Sequence, residues 1–116
     1  MFSGAYFNSI NGWSESNDIV IKWETGVENN LDHFTVERKT PNSSFVPINN
    51  IEPKGNNSVY KYIDEGLFKT DSDIYIYRIA IYENNNPTPA YSQEIAVSHS
   101  LSFVKRTWGS IKAMFR

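Results

Sequence analysis

The chain has 116 residues, of which 40% are hydrophobic and 15% aromatic, and it contains no cysteine. This size and composition predict one folded domain rather than an intrinsically disordered chain, which would be less hydrophobic and more highly charged. The absence of cysteine excludes disulfides, cysteine-ligated zinc and a thiol nucleophile, and a net charge of −2 gives no reason to expect nucleic-acid binding.

Charge divides the chain into two parts. Residues 1–99 carry all 13 acidic and seven basic side chains, for a net charge of −6, whereas residues 100–116 carry four basic side chains and no acid. We therefore predict a domain over residues 1–99 and a basic tail over residues 100–116. No apolar run is long enough to span a membrane and the start has no leader pattern, which favours a cytoplasmic location over loss of an export signal.

Two segments in the first half of the chain show the two-residue period of a strand. Ile19, Ile21 and Trp23 share one face of the first segment, and Phe34 and Val36 share one face of the second. Polar residues occupy most of the opposite face in both segments. Each segment is therefore predicted to be a half-buried strand.

Two weaker strands follow. The run at residues 45–48 contains a proline, which is typical of an edge strand because proline cannot donate a ladder hydrogen bond. The next β-prone segment leaves two orientations open, in which either Tyr60 and Tyr62 or Val59 and Ile63 face the core. We favour the orientation with the tyrosines inward.

The clearest strand lies at residues 74–82. Tyr75, Tyr77, Ile79 and Ile81 all fall on one face, which leaves Arg78 facing outward.

A last alternating strand is predicted from Tyr91, Ile95 and Val97, after an asparagine-rich turn at residues 84–87. A further strand is expected at residues 5–10. Six or seven strands without a βαβ pattern predict an all-β antiparallel sandwich of the immunoglobulin-like class.

Four of these segments resemble strands B, C, F and G of a fibronectin type III domain in its bacterial form. They are residues 19–24, 33–38, 75–79 and 90–92, and the resemblance covers about residues 15–98. It implies that Trp23 is a core residue and that Tyr75 has the architectural role of the tyrosine that opens strand F. The pattern departs from the family at residues 67–69, where Leu-Phe-Lys replaces Leu-x-Pro before strand F. The predicted core comprises Ile21, Trp23, Phe34, Val36, Tyr75, Tyr77 and Ile79.

No group of residues predicts catalysis or metal binding. His33 and His99 are on different predicted strands with no third ligand nearby, and Asp71 and Asp73 lack the spacing of a calcium loop. Neither a Gly-x-Ser-x-Gly elbow nor a glycine-rich phosphate loop occurs. We therefore expect a protein that is not an enzyme and needs no cofactor or metal.

Carbohydrate binding is the alternative function for the body of the domain. Sugars stack on flat, exposed rings beside polar groups, and Trp13 with Tyr6 or Tyr82 would offer such rings. Inward-facing aromatics account for most of the aromatic content without any ligand, because strands favour aromatic residues.

The tail has the pattern of an amphipathic helix. Its apolar side chains follow 3-4-3-4 spacing and so share one helical stripe, at Leu101, Val104, Trp108, Ile111 and Phe115. An alternative remains open, because the alternation of the last strand continues to Phe103 and would delay the helix to about Lys105. A helix this short is marginal in water unless it docks on something.

Four arrangements of the tail remain open. It folds back over the sandwich, docks on a protein partner or a second copy, lies on an anionic membrane, or stays disordered. We favour a non-enzymatic interaction module whose tail is the docking element. In this hypothesis the partner-binding residues are Lys105, Arg106, Trp108, Ile111, Lys112 and Phe115.

Overall fold

The computed structural model describes residues 4–65 and 73–98. Within these ranges no helix is long and apolar enough to cross a membrane. The regular elements are β1 (Gly4–Glu15), β2 (Asp18–Asn29), β3 (Leu31–Lys39), β4 (Val46–Ile51), β5 (Val59–Asp64), β6 (Ile74–Glu83), β7 (Ala90–Tyr91) and β8 (Ile95–Ser98). Residues 67–69, where the sequence departs from the family pattern before strand F, and the predicted helical tail lie outside the described residues.

The strands form two antiparallel sheets. One has the order β1-β2-β5, and the other has the order β4-β3-β6 with both β7 and β8 paired to β6. This arrangement confirms the predicted all-β sandwich, and β4 lies at an edge as its proline indicated. The first strand is longer than the predicted residues 5–10, because β1 pairs with β2 from Gly4 to Glu15.

The core lies between the sheets and contains all seven predicted residues, each of which is 2% exposed or less. Tyr60 is also buried, whereas Val59 and Ile63 are exposed, so the inward orientation of the tyrosines is confirmed. The Tyr60 ring stacks on Trp23 with centroids 5.2 Å apart and meets Phe34 edge-on at 5.1 Å. Aromatic pairs in these two geometries add to the stabilisation that burial provides.

An extra residue interrupts the last predicted strand. Tyr91 pairs with Ala80 and Ile95 pairs with Tyr77, so three residues on one strand oppose two on β6. Such a β-bulge shifts the alternation of faces by one. The expectation that Tyr91 shares a face with Ile95 and Val97 is therefore wrong. Val97 is buried between the sheets, whereas Tyr91 lies on the outer face and is 48% exposed.

Candidate interaction surfaces

An arginine between two aromatic rings dominates the outer face of the five-stranded sheet. The Arg78 guanidinium carbon lies 3.7 Å from the Tyr91 ring centroid and 4.0 Å from that of Phe45. Its Nε donates a 2.7 Å hydrogen bond to Glu37, whose side chain is 10% exposed. Stacking on both faces and a paired carboxylate stabilise this partly buried charge. The bulge makes this cluster possible because it turns Tyr91 outward.

A second polar cluster joins the two sheets. One carboxylate oxygen of Asp64, on β5, accepts 2.6 Å hydrogen bonds from Arg38 on β3 and from the Tyr77 hydroxyl on β6. Burial raises the pKa of Tyr77, and the bond to Asp64 raises it further. Burial by itself lowers the pKa of Arg38, but the bond and charge of Asp64 reverse this effect and leave it raised. The cluster is a structural bridge across the sandwich.

A third cluster fixes the segment between β4 and β5 against β2. Glu28 accepts 2.6 Å hydrogen bonds from the hydroxyls of Thr25 and Tyr60, and a 3.0 Å bond from the backbone of Gly55. Its own backbone N–H donates to the Asn56 side chain. Burial and the bond to Glu28 raise the pKa of Tyr60 to about 12. The Glu28 carboxylate therefore has a structural role.

Four buried polar or charged side chains of the described ranges have hydrogen-bond partners. They are Thr25, Thr35, Glu37 and Asp64, and their partners are Glu28, Asn50, Arg78 and, for Asp64, Arg38 with Tyr77. In this part of the chain no group of three histidine, aspartate or glutamate side chains could hold a metal ion. His33 bonds to its neighbour Asp32 at 2.6 Å and stacks on Tyr82. These contacts indicate structural roles.

The outer face of the three-stranded sheet carries an apolar row. Trp13 pairs with Val20, and Val20 pairs with Ile63, so the row crosses all three strands. Directly opposed residues of antiparallel strands point to the same face. Trp13 is 38% exposed and Ile63 is 42% exposed, whereas Val20 between them is almost fully covered. We call these three residues the apolar row.

Charged side chains flank the apolar row at the end of the sheet. Glu15 and Asp18 pair at the β1–β2 hairpin, and exposed Glu65 directly follows β5. The Trp13 indole N–H donates a 3.1 Å hydrogen bond to Glu15, which ties the row to these acids. On the other side of the row, Lys22 pairs with Lys61. We call Glu15, Asp18 and Glu65 the acidic rim.

A cleft of about 350 Å³ opens beside the bulge, between residues 7–11 of β1 and the pair Ser92 and Gln93. The Ser92 hydroxyl already has hydrogen-bond partners within the protein. It accepts from the backbone of Ile79 and donates to the carbonyl of Gln93. The serine hydroxyl that lines the cleft is therefore already hydrogen-bonded within the protein.

The structure does not bring together the rings considered for carbohydrate binding. Trp13 and Tyr6 are seven residues apart on β1, which separates them by on the order of 20 Å. Tyr82 lies on β6 in the other sheet, where it stacks with His33 at 4.5 Å. The predicted partner-binding residues at 105–116, together with His99, Asp71 and Phe103, lie outside the described residues.

Sequence reasoning missed the two outer-face features. The outward position of Ile63 could be predicted, because inward tyrosines on β5 turn it outward. That Val20 and Trp13 lie beside it was evident only from the strand order. The Arg78 cluster had no sequence signal, since its two rings are 33 and 13 residues away along the chain.

Comparison with solved structures supports the architecture. The chain superposes on the crystal structure of an Fn3-like protein from Clostridium thermocellum with a TM-score of 0.58 and 14% sequence identity, covering 85% of this chain and 96% of that one. The fold is fibronectin type III-like. No family model and no curated protein matches the chain. At this identity the likeness describes the fold and leaves the function to the residues of this chain.

Proposed function

We propose that this protein is a non-enzymatic interaction module whose basic amphipathic tail, residues 100–116, docks on a protein partner. One observation carries the proposal: strands within the described ranges supply a continuous core, with every predicted core residue buried. The apolar stripe of the tail is therefore not needed to fill that core. Large apolar side chains beyond a filled core are typical of a docking element.

The tail residues divide into two roles. Trp108, Ile111 and Phe115 are the anchors, because large aromatic and aliphatic side chains supply most of the free energy at interface centres. Lys105, Arg106 and Lys112 supply orientation and a faster association rate, because exposed charges act mainly on encounter. The partner is another protein or a second copy of this chain. The buried carboxylates of Glu37 and Asp64 are hydrogen-bonded to arginine and tyrosine side chains, which supports a role other than catalysis.

The test compares three full-length proteins as baits in a lysate of the source organism. They are the parent, the triple variant Trp108→Ser, Ile111→Ser and Phe115→Ser, and a variant with residues 100–116 scrambled. Scrambling keeps the charge and composition but destroys the stripe, so it controls for nonspecific attraction. Because one interface anchor contributes about 1–2 kcal/mol or more, the triple variant should lose at least about 100-fold in affinity.

The expected result is a protein captured by the parent and lost from both variants, with light scattering reporting any self-association. Capture that is the same for all three baits would reject the tail as the docking element. Two further outcomes would favour other functions. Tail-dependent binding to phosphatidylserine vesicles without a captured protein indicates a membrane surface, and glycan binding lost in Trp13→Ala but kept in the scrambled variant indicates carbohydrate binding.

A further inference from the structure

The apolar row lies at the end of the sandwich where β8 ends. A β-carbon on Gly12 would lie 2.9 Å from Val97 Cγ2, so β1 and β8 are in close contact immediately before Trp13. The register of β6 brings Ile74 opposite Ser98, and the bond between Arg38 and Asp64 joins this end of the five-stranded sheet to the acidic end of the other sheet. β1 and β8 therefore run toward the same end of the sandwich, and β8 ends near Trp13.

The charges at this end match those of the tail. The acidic rim contributes three carboxylates next to the apolar row, while residues 100–116 carry four cations and no acid. The cations of the tail would thus match the acidic rim on one side of the apolar row but not Lys22 and Lys61 on its other side. Attraction between the tail cations and the acidic rim would favour one orientation of the tail. Water and salt screen this attraction little where neighbouring apolar groups exclude solvent.

A helix formed by the tail would also be long enough to cross the three-stranded sheet. A helix over residues 104–115 would be about 18 Å long. Three strands have a width of about 10 Å between the outer two backbones. Five extended residues span about 17 Å, which exceeds the spacing of about 10 Å between packed sheets, so a linker of this length would pass β1 without moving a strand.

We propose that, in the absence of its partner, the tail docks on the apolar row and acidic rim of its own sandwich. The row is then the resting site of the docking element, and the partner must displace it. A short tether raises the effective concentration of the tail at the row to about the millimolar range, which favours the same chain over a second copy. The proposal rests on the proposed function only in taking residues 100–116 as a docking element.

The absence of cysteine allows a direct test by paramagnetic relaxation in the full chain. A spin label on Ser110→Cys should broaden the amide signals of Trp13, Val20 and Ile63. The amides of Arg78 and Tyr91, on the outer face of the other sheet, should keep their intensity. No broadening at the apolar row, or equal broadening on both sheets, would overturn the proposal.

Matched substitutions then assign the broadening to the row. Trp13→Thr with Ile63→Thr should abolish it, while Val27→Thr with Val46→Thr, at positions of similar exposure, should leave it intact. All four positions are exposed and threonine suits strands, so both variants should fold, as their amide spectra will show. Broadening that survives loss of the row would refute the assigned surface.

A mixed sample separates one chain from two. Isotope-labelled parent mixed with spin-labelled, unlabelled Ser110→Cys reports only contacts between copies, and we expect no broadening. Broadening as strong as in the single-chain sample would make a second copy the occupant and overturn the proposal.

The partner assay is independent of this result. If the tail docks on the row but captured proteins do not depend on it, the proposed function fails and this inference stands. If capture depends on the tail but the row shows no broadening, the inference fails alone. Where both hold, Trp13→Thr with Ile63→Thr should increase partner capture, because the partner no longer competes with the row.

Discussion

Removal of the Asp64 carboxylate should weaken the bridge between the two sheets. In Asp64→Ala the Tyr77 hydroxyl and the Arg38 guanidinium both lose a 2.6 Å hydrogen bond inside the sandwich. Loss of one member of a buried charge pair costs about 3–5 kcal/mol. The Arg38 side chain is 27% exposed, so water relieves part of its penalty and we expect about 3 kcal/mol. This is a large fraction of the roughly 5–15 kcal/mol that stabilises a typical domain.

Urea unfolding of the full chain, followed by tryptophan fluorescence, measures this effect. With an m-value of about 1.5 kcal/mol per molar, the midpoint should fall by about 2 M. Glu52→Ala, which removes an exposed carboxylate, is the control and should change the free energy of unfolding by less than about 0.5 kcal/mol. Tyr77→Phe should cost less than Asp64→Ala, and the two effects should not add, because both remove the same hydrogen bond. A loss below about 1 kcal/mol for Asp64→Ala would refute the bridge.

Two further predictions concern the other clusters. Arg78→Lys keeps the charge but cannot stack between Phe45 and Tyr91, so we expect a loss of about 1–2 kcal/mol, and an unchanged melting temperature would contradict the cation–π account. Because folding raises the pKa of Tyr60 to about 12, the protonated Tyr60 hydroxyl contributes fully to the free energy of unfolding below pH 10. This contribution is lost as the pH rises toward 12, by about 1.4 kcal/mol per pH unit. Tyr60→Phe should therefore show a smaller alkaline slope in urea unfolding, and an equal slope would refute the assignment.

The alternating faces of β2, β3 and β6 were predictable because each strand has one face against the core. Ile21, Phe34 and Ile79 are each fully buried, as the two-residue period indicated. Tyr60 and Tyr62 were harder, since their alternation matched that of Val59 and Ile63 equally well. Strand order resolved the choice by placing Tyr60 between Trp23 and Phe34.

Burial on the outer face was not predictable from the period. Thr35 and Glu37 alternate with Phe34 and Val36 and so should have been exposed, yet they are 4% and 8% exposed. Neighbouring strands cover them through side-chain contacts, with Asn50 bonding Thr35 at 2.8 Å. A single strand's pattern contains no information on which side chains its neighbours will supply.

The strand content, the inward faces of the central strands and the concentration of positive charge in residues 100–116 were all predictable from the sequence. These properties follow from local periodicity and composition, which need no knowledge of neighbours. Tertiary structure alone decided that Tyr91 turns outward to Arg78, that Asp64 bridges the sheets and that Trp13, Val20 and Ile63 form one row. Each depends on strand register or on a one-residue bulge, because a shift of one residue changes the face on which a side chain lies.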